Sequence, residues 1–361
     1  MRATPRFSSA GRLGAWALTL LLLACSRPEA DGRPYEVTVL ADRARQAALA
    51  PLLDSLFAET WVSSPPERKL AWRWGDPEHL AADQCRRNLI LVLDGPAAGT
   101  VGRFAEELLG AGMRDRVSQG EVFLLRRPGA FARRQLLVIL AAPDPAAFRR
   151  QLLQRRLELR ALFDEHEAGL DRLALRPTRL QLQLEDSLAL SCGFRLDIPG
   201  DWFVIQGGTA PTFIRLRRLN PDCWITVHWV DGPDSQRLDP AGLWAVRDRL
   251  GGLFWEKEAC RPGGARFSRT RLGGLEATLL EGTLASAAAP AEAAGPFLCW
   301  ALHVPGAAGL PQGRTFYIDA AVRCPDEPRS PWLHQLTTLV STFAGTDAEG
   351  RAIGPLQPES E

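Results

Sequence analysis

The chain has 361 residues, which at about 150 residues per domain means two domains, each long enough to bury its own core. Its 46% hydrophobic and 24% charged content is that of a globular protein, which excludes long disorder and polytopic membrane insertion. Three of the 43 basic side chains (Arg2, Arg6 and Arg12) and none of the 42 acidic ones fall in residues 1–24, so the remainder carries −2 rather than +1, and a basic footprint for nucleic acid is absent.

Residues 1–24 combine a positive start, an apolar run over 13–24 and small residues before a cysteine, the pattern of a secretory signal peptide. A transmembrane helix needs roughly 20 apolar residues, and this run is short of that. Leu22-Leu23-Ala24-Cys25 resembles the lipobox of bacterial lipoproteins. The resemblance implies that the Cys25 thiol is alkylated with diacylglycerol, and that cleavage after Ala24 then leaves Cys25 as the mature N-terminus. An ordinary signal peptide with a chance cysteine, or an uncleaved anchor, is the plainer alternative. Ser26, rather than Asp, follows the cysteine, which by the same analogy implies the outer membrane of a Gram-negative cell envelope. Residues 25–34, with two prolines, a glycine and mixed charges, read as a lipidated tether, and folding is expected to start near Tyr35.

The spacing predicts a strand over 36–40, then a helix capped by Asp42 that carries Leu49, Leu52, Leu53, Leu56 and Phe57, with Pro51 inside it. Alternation puts Leu70, Trp72 and Trp74 on one face of a strand. Residues 88–93 read as a buried strand stopped by Asp94-Gly95-Pro96, and 100–110 as a helix burying Val101, Phe104, Leu108 and Leu109. Strands over 121–125 and 135–140 join through Pro128-Gly129. Asp144-Pro145 then opens a long helix, aspartate capping and proline taking the first turn, where its missing N–H costs nothing. This makes residues 35–176 an α/β sandwich-type domain that ends at Arg176-Pro177.

The second domain, 177–345, reads as strand-like at 180–184, 194–198, 202–206, 212–217 and 223–230. A helix from Asp239-Pro240 follows, then strands over 275–284, 297–304 and 314–322 and a last helix from Ser330-Pro331. Mostly sequential strands with two helices predict a mainly antiparallel sheet covered on one face by both helices, and the fold class is α+β. Residues 285–294 are Ala-rich and read as a loop or short helix; residues 346–361 read as a disordered tail.

Short segments then carry a resemblance: 194–202 (FRLDIPGDW), 213–217, Arg247-Asp248, Gly295-Pro296-Phe297 and 316–343, joined in the first half by 88–92, 131–135 and the long helix ending near Phe163. They resemble an uncharacterised family of bacterial lipoproteins known as domain of unknown function 4837. The resemblance implies a two-part, lipid-anchored envelope protein and brings no catalytic residues. This chain departs from that pattern in its many arginines and cysteines and its longer 285–294 loop. Separately, the Ile198–Trp202 entry into an antiparallel sheet is similar to the PsbP/Mog1-like fold, a likeness that implies no function.

Beyond Cys25, the cysteines are Cys85, Cys192, Cys223, Cys260, Cys299 and Cys324. In an exported chain they invite disulfides, one or two bridges among the last five with the other thiols buried. Cys223 with His228 and Cys299 with His303 suggest zinc. Four residues along a strand span about 13 Å, however, against roughly 2 Å from each ligand to a zinc ion, and Cys223 and His228 point to opposite faces. No metal and no cofactor are therefore expected. No nucleophile elbow, metalloprotease helix, Walker sequence or dinucleotide fingerprint occurs, and His79, His166, His228, His303 and His334 read as structural. Among the many tryptophans of the second half, Trp224 and Trp300 each lie opposite a neighbouring cysteine on its strand, and are the candidates for an exposed binding surface. The expected role is a non-enzymatic, membrane-anchored protein that binds an envelope protein or glycan or helps assemble the envelope. The alternatives are an envelope hydrolase with a noncontiguous site and a glycan- or small-molecule-binding lipoprotein.

Overall fold

A computed structural model describes residues 27–175, 180–206, 212–234, 239–254, 259–260, 264–285, 293–324 and 327–353. The expected signal peptide, Cys25, Ser26, the Arg176-Pro177 boundary, Trp255, most of the Ala-rich stretch and residues 354–361 lie outside the described residues. No described helix is long and apolar enough to cross a membrane.

The chain forms two compact units, Met1–Asp54 with Trp72–Leu159 and Ser55–Ala71 with Arg160–Glu361. This division differs from a single break at Arg176-Pro177. Packing explains it: Trp61 and Leu175 belong to the core of the second unit, and Phe57 meets Phe163 edge-on there.

Unit 1 runs β1 (Glu36–Leu40), α1 (Arg43–Leu56), β2 (Ala71–Trp74), α2 (Leu80–Asp83), β3 (Asn88–Asp94), α3 (Thr100–Leu109), α4 (Ala111–Ser118), β4 (Leu124–Pro128), β5 (Leu136–Ala142) and α5 (Pro145–Gln154). Its five-stranded sheet has the order β2-β1-β3-β5-β4, with β1, β3 and β5 parallel and β4 antiparallel at the edge. All seven residues of β3 and of β5 are buried, and their apolar runs, 89–93 and 136–142, are what a sheet covered on both faces requires; Asn88 and Asp94 end the β3 run on either side. On one face Leu89, Leu91, Leu137 and Ile139 pack with Val101, Ala105 and Leu109 of α3 and Val117 of α4. Asp144 caps α5 as expected, accepting from the Ala147 N–H at 2.8 Å. The expected long helix is two: α5 stops at Arg155, which leaves helical geometry at φ −102°, ψ 13°, and α6 (Arg156–Leu175) follows. The strand expected over 121–125 lies at 124–128 instead.

Most of the expected tether is bound to unit 1. The Arg133 N–H donates to the Pro28 carbonyl at 2.8 Å, Ala30 donates to Arg133 at 2.9 Å and Asp31 to Cys85 at 3.0 Å. Sequence composition signalled only the lack of internal periodicity, which such borrowed hydrogen bonds do not require.

Unit 2 continues with α7 (Leu182–Cys192), β6 (Phe194–Arg195), β7 (Phe203–Gln206), β8 (Phe213–Arg218), β9 (Asp222–Asp231), α8 (Pro240–Phe254), β10 (Ala259–Cys260), β11 (Arg266–Leu272), β12 (Leu275–Ala285), β13 (Ala293–Val304), β14 (Arg314–Arg323), α9 (Ser330–Ser341) and β15 (Ala344–Gly345). The main sheet is antiparallel and eight-stranded, ordered β10-β12-β13-β14-β9-β8-β7, with β11 also paired to β12. β15 pairs with β6 separately.

Both faces of this sheet are covered, not one. Leu298, Leu302, Phe316, Ile318, Ile225 and Val227 pack with Leu333, Leu336, Leu339 and Val340 of α9 and Leu188 of α7. The alternate residues Leu280, Phe297, Cys299 and Tyr317 pack under Leu243, Val246 and Leu250 of α8. Residues 180–184, read as a strand, enter α7: the Leu180-Leu182-Leu184 alternation is local, whereas burial of Glu185, Leu188, Ala189 and Cys192 follows the helical period. Gly193, at φ +74°, ends that helix in the left-handed conformation. Residues 346–353 are ordered, against the expected disorder of 346–361. Thr346 is fully buried, and its hydroxyl donates to Ala189 at 2.7 Å.

Candidate functional site

The concave feature best placed for a ligand lies at the carboxyl ends of the parallel strands of unit 1. After β1 the chain adds β2 on one side and then returns to place β3 on the other. The ends of β1 and β3 therefore part company at a topological switch point, where open α/β sheets hold their ligands. A crevice of about 400 Å³ opens there, lined by Asp42, Arg45, Asp94, Pro96, Gly99 and Asp144 among others.

Each polar group in it has a structural origin. Asp42 follows β1, and its carboxylate accepts from the Val101, Gly99 and Gly102 N–H groups at 2.9, 3.1 and 3.3 Å. The aspartate expected to cap its own helix thus caps α3 instead, whose preceding residue, Gly99, has no side chain to do so. A Cβ on Gly99 would stand 2.1 Å from that carboxylate, so glycine is required by the close approach. Asp94 ends β3 and holds Arg45, whose Nε and Nη2 donate to it at 2.9 and 2.6 Å in a forked contact. Asp144 is occupied as the α5 cap. The crevice thus offers anchored carboxylates, one guanidinium and a proline- and alanine-rich wall, a surface suited to recognition by charge and hydrogen bonds.

Sequence reasoning treated Asp42, Asp94 and Asp144 as caps or strand stops and missed that they meet. The available signal was the recurrence of an aspartate just after each of three apolar strand patterns.

In unit 2 the expected candidates are buried. Trp224 is 3% exposed and Trp300 is 4% exposed, on opposite faces of the sheet and inside its two cores, so neither forms the expected binding surface. Their alternation marked them correctly as opposite in face to the adjacent cysteines, but both faces are covered. His228 Nδ1 lies 2.8 Å from the Thr212 carbonyl, and its ring stacks on Tyr317 at 6.0 Å. His303 Nδ1 is 3.3 Å from the Thr315 hydroxyl. That hydroxyl donates to the Gly232 carbonyl at 2.8 Å, so its proton is committed and the pair is not a base with its nucleophile.

Cys85, Cys192, Cys223, Cys260, Cys299 and Cys324 are free thiols in this structure. Burial pushes Cys192, Cys260, Cys299 and Cys324 up from the ordinary thiol range and Cys223 up to about 12, the opposite of what a nucleophilic thiolate needs. Among the described residues no group of three or more His, Cys, Asp and Glu side chains gathers for a metal ion.

Unit 2 does hold two charge networks, one fully buried and one partly buried. Under α8, Arg247 and Asp319 form an ion pair with Nε 2.7 Å from a carboxylate oxygen, and both side chains are at most 1% exposed. The strand register puts Asp319 between Cys299 and Thr226, with Arg215 beyond Thr226, a polar row across an apolar face. The second network holds the 55–71 segment: Lys69 bridges Glu59 at 2.9 Å and Glu281 at 2.8 Å, Arg266 pairs with Glu281, and Arg160 pairs with Glu59. Burial opposes ionisation of Glu59, but Lys69 and Arg160 outweigh it and hold the carboxyl at about 2. Burial moves Asp164, at the edge of the network, up to about 6 in spite of Arg160. His334, tucked under the segment with Nε2 2.7 Å from the Lys69 carbonyl, is pushed down by burial to about 3.

No family model and no curated protein matches this chain. Among solved structures, the chain is similar to the solution structure of cyanobacterial PsbP (CyanoP) from Synechocystis sp. PCC 6803, at 12% identity and a TM-score of 0.30, over 42% of this chain and 86% of that one. A likeness of that size carries no argument about what this chain does.

Proposed function

We propose that this is a lipid-anchored cell-envelope protein, held in the outer membrane through diacylglycerol on Cys25, whose folded body has a non-enzymatic binding or envelope-assembly role. The observation that carries the reading is Leu22-Leu23-Ala24-Cys25 at the end of a positively charged, apolar leader. The short segments resembling a bacterial lipoprotein family support it. So does the chemistry of the body, where the histidines considered are engaged and burial raises the five thiols of unit 2. In the producing bacterium, Cys25→Ala should abolish palmitate labelling and block processing to the mature form. Unchanged labelling would contradict the reading.

A second reading, small-molecule binding, is favoured by the crevice of about 400 Å³ at the switch point of unit 1. Its carboxylates and Arg45 suit a small ligand bearing amines and hydroxyls, an amino sugar for example. Calorimetry with glucosamine and N-acetylglucosamine checks it: binding that Ala44→Trp abolishes by filling the crevice, whose wall includes Ala44, supports the reading, and binding unaffected by that substitution contradicts it.

A further inference from the structure

The first described residues fix where a lipid on Cys25 would hold the body. From Pro28 onward the chain is bound to unit 1: besides the backbone bonds of Pro28, Ala30 and Asp31, Arg27 donates through Nη1 to the Gly129 carbonyl, and Glu29 pairs with Arg133 at 3.2 Å. Two residues, Ser26 and Arg27, separate Cys25 from Pro28, and those three chain steps reach at most about 11 Å when extended. The element beside this point is the end of the β4–β5 hairpin, closed by the Gly129 N–H donating to Gln135 at 2.8 Å.

That hairpin end is dense in arginine. Arg126, Arg127, Arg133 and Arg134 are all exposed, with Arg27 and Arg33 exposed on the adjoining segment. The acidic groups nearby are already matched: Glu29 by Arg133, and Asp31 by Arg86 at 3.4 Å. Arg126, Arg127 and Arg134 have no carboxylate partner among the described residues. A side chain with a planar fork of donors, repeated at one edge of a sheet, suits phosphate oxygens. The switch-point crevice lies at the opposite, carboxyl end of the same parallel strands.

We infer that the β4–β5 hairpin end is a membrane-docking face that binds anionic phospholipid headgroups and turns the crevice away from the bilayer. The inference rests on the lipid anchor at Cys25: a tether this short brings the arginines to headgroup depth, and a surface with negative potential attracts basic residues within a Debye length. Docking through the opposite end would require the anchored segment to detach from Arg133 and Cys85.

The test is hydrogen–deuterium exchange on the mature protein purified from its membrane and reconstituted into two kinds of vesicle, phosphatidylcholine alone and phosphatidylcholine with phosphatidylglycerol. Exchange over residues 126–134 should slow several-fold on the phosphatidylglycerol vesicles alone, revert in high salt, and revert in the Arg126→Gln, Arg127→Gln, Arg134→Asn variant while the protein stays vesicle-bound. Equal exchange on both vesicles, or protection that survives the triple substitution, overturns the inference and leaves the anchor standing. Intact mass separates the two claims. If Cys25 carries no lipid the anchor fails, and co-sedimentation of that same protein then decides the face: phosphatidylglycerol-dependent sedimentation lost in the triple variant sustains it, and no sedimentation overturns it.

Discussion

The two units handle polar groups in opposite ways. In unit 1 the middle of the sheet is apolar and the charged residues collect mainly at the rims, with aspartates at the carboxyl ends of the strands, arginines at the hairpin end, and Asp83 as a buried exception paired with Arg73 and Arg86. In unit 2 charge is taken into the layers: Arg247 and Asp319 sit between α8 and the sheet, and Glu281 lies on the opposite face with Lys69 and Arg266. A parallel sheet made of unbroken apolar strands leaves only its ends for chemistry, whereas alternating antiparallel strands can carry a polar row through a face. Accessible recognition is thus expected at the rims of unit 1. The buried charges of unit 2 serve to fix one arrangement of helix and strand, at the cost of heavy dependence on each partner.

That contrast is broken if charge removal costs the same in both units. The largest effect is expected from Asp319→Ala, which leaves the Arg247 guanidinium buried without its carboxylate and should lower the denaturant-derived stability by about 3–5 kcal/mol. Arg247→Met combined with Asp319→Leu should recover most of that loss, since a matched apolar pair removes both desolvation penalties. Next comes Lys69→Met, which takes the cation from between Glu59 and Glu281 and should cost about 2 kcal/mol by the same measurement. Asp42→Ala, at the rim of unit 1, should cost only about 1 kcal/mol, the value of a helix cap, because truncating a side chain that lines the crevice opens the released N–H groups to it. A cost for Asp42→Ala equal to that of Asp319→Ala would refute the contrast.

The smallest effect at neutral pH is expected from His334→Gln, which keeps a hydrogen-bonding side chain under the 55–71 segment. Burial holds the folded histidine down at about 3, below its ordinary value of 6.5, so the unfolded chain binds the proton first. Its contribution is therefore complete above pH 6.5 and is lost as the pH falls toward 3. Thermal melts of wild type should weaken more steeply than those of His334→Gln over that window, and parallel acid limbs would show that His334 is not held neutral.

Much of the fold was legible from local pattern. β1, β3 and α3 fall within a residue or so of their expected bounds, because an apolar run with a clear stop leaves few alternatives. Asp144-Pro145, Asp239-Pro240 and Ser330-Pro331 each mark a helix start. Failures arose where tertiary partners decide. Leu180, Leu182 and Leu184 mimic a strand until Leu188 and Cys192 bind the segment as a helix to the unit 2 core. β11 was missed because Arg269 and Arg271 stand on an exposed strand with no apolar alternation to announce it. Trp224 and Trp300 could be assigned to opposite sheet faces, but whether a face is covered depends on α8 and α9, some distance away in sequence. For the crevice, three aspartates far apart in the chain meet only through strand order, which no single segment encodes. Residues 28–31 looked like a tether because their hydrogen bonds are made to Arg133, Cys85 and Arg87, not to one another.

The proposed lipid anchor underlies both the proposed role and the membrane-docking face, and one measurement addresses it directly: mass spectrometry of the N-terminal peptide of the protein taken from the membrane of its own bacterium. A peptide that begins at Cys25 and carries diacylglycerol on the sulfur is the predicted result. A mature N-terminus at another residue, or a retained leader with an unmodified Cys25 thiol, would contradict it.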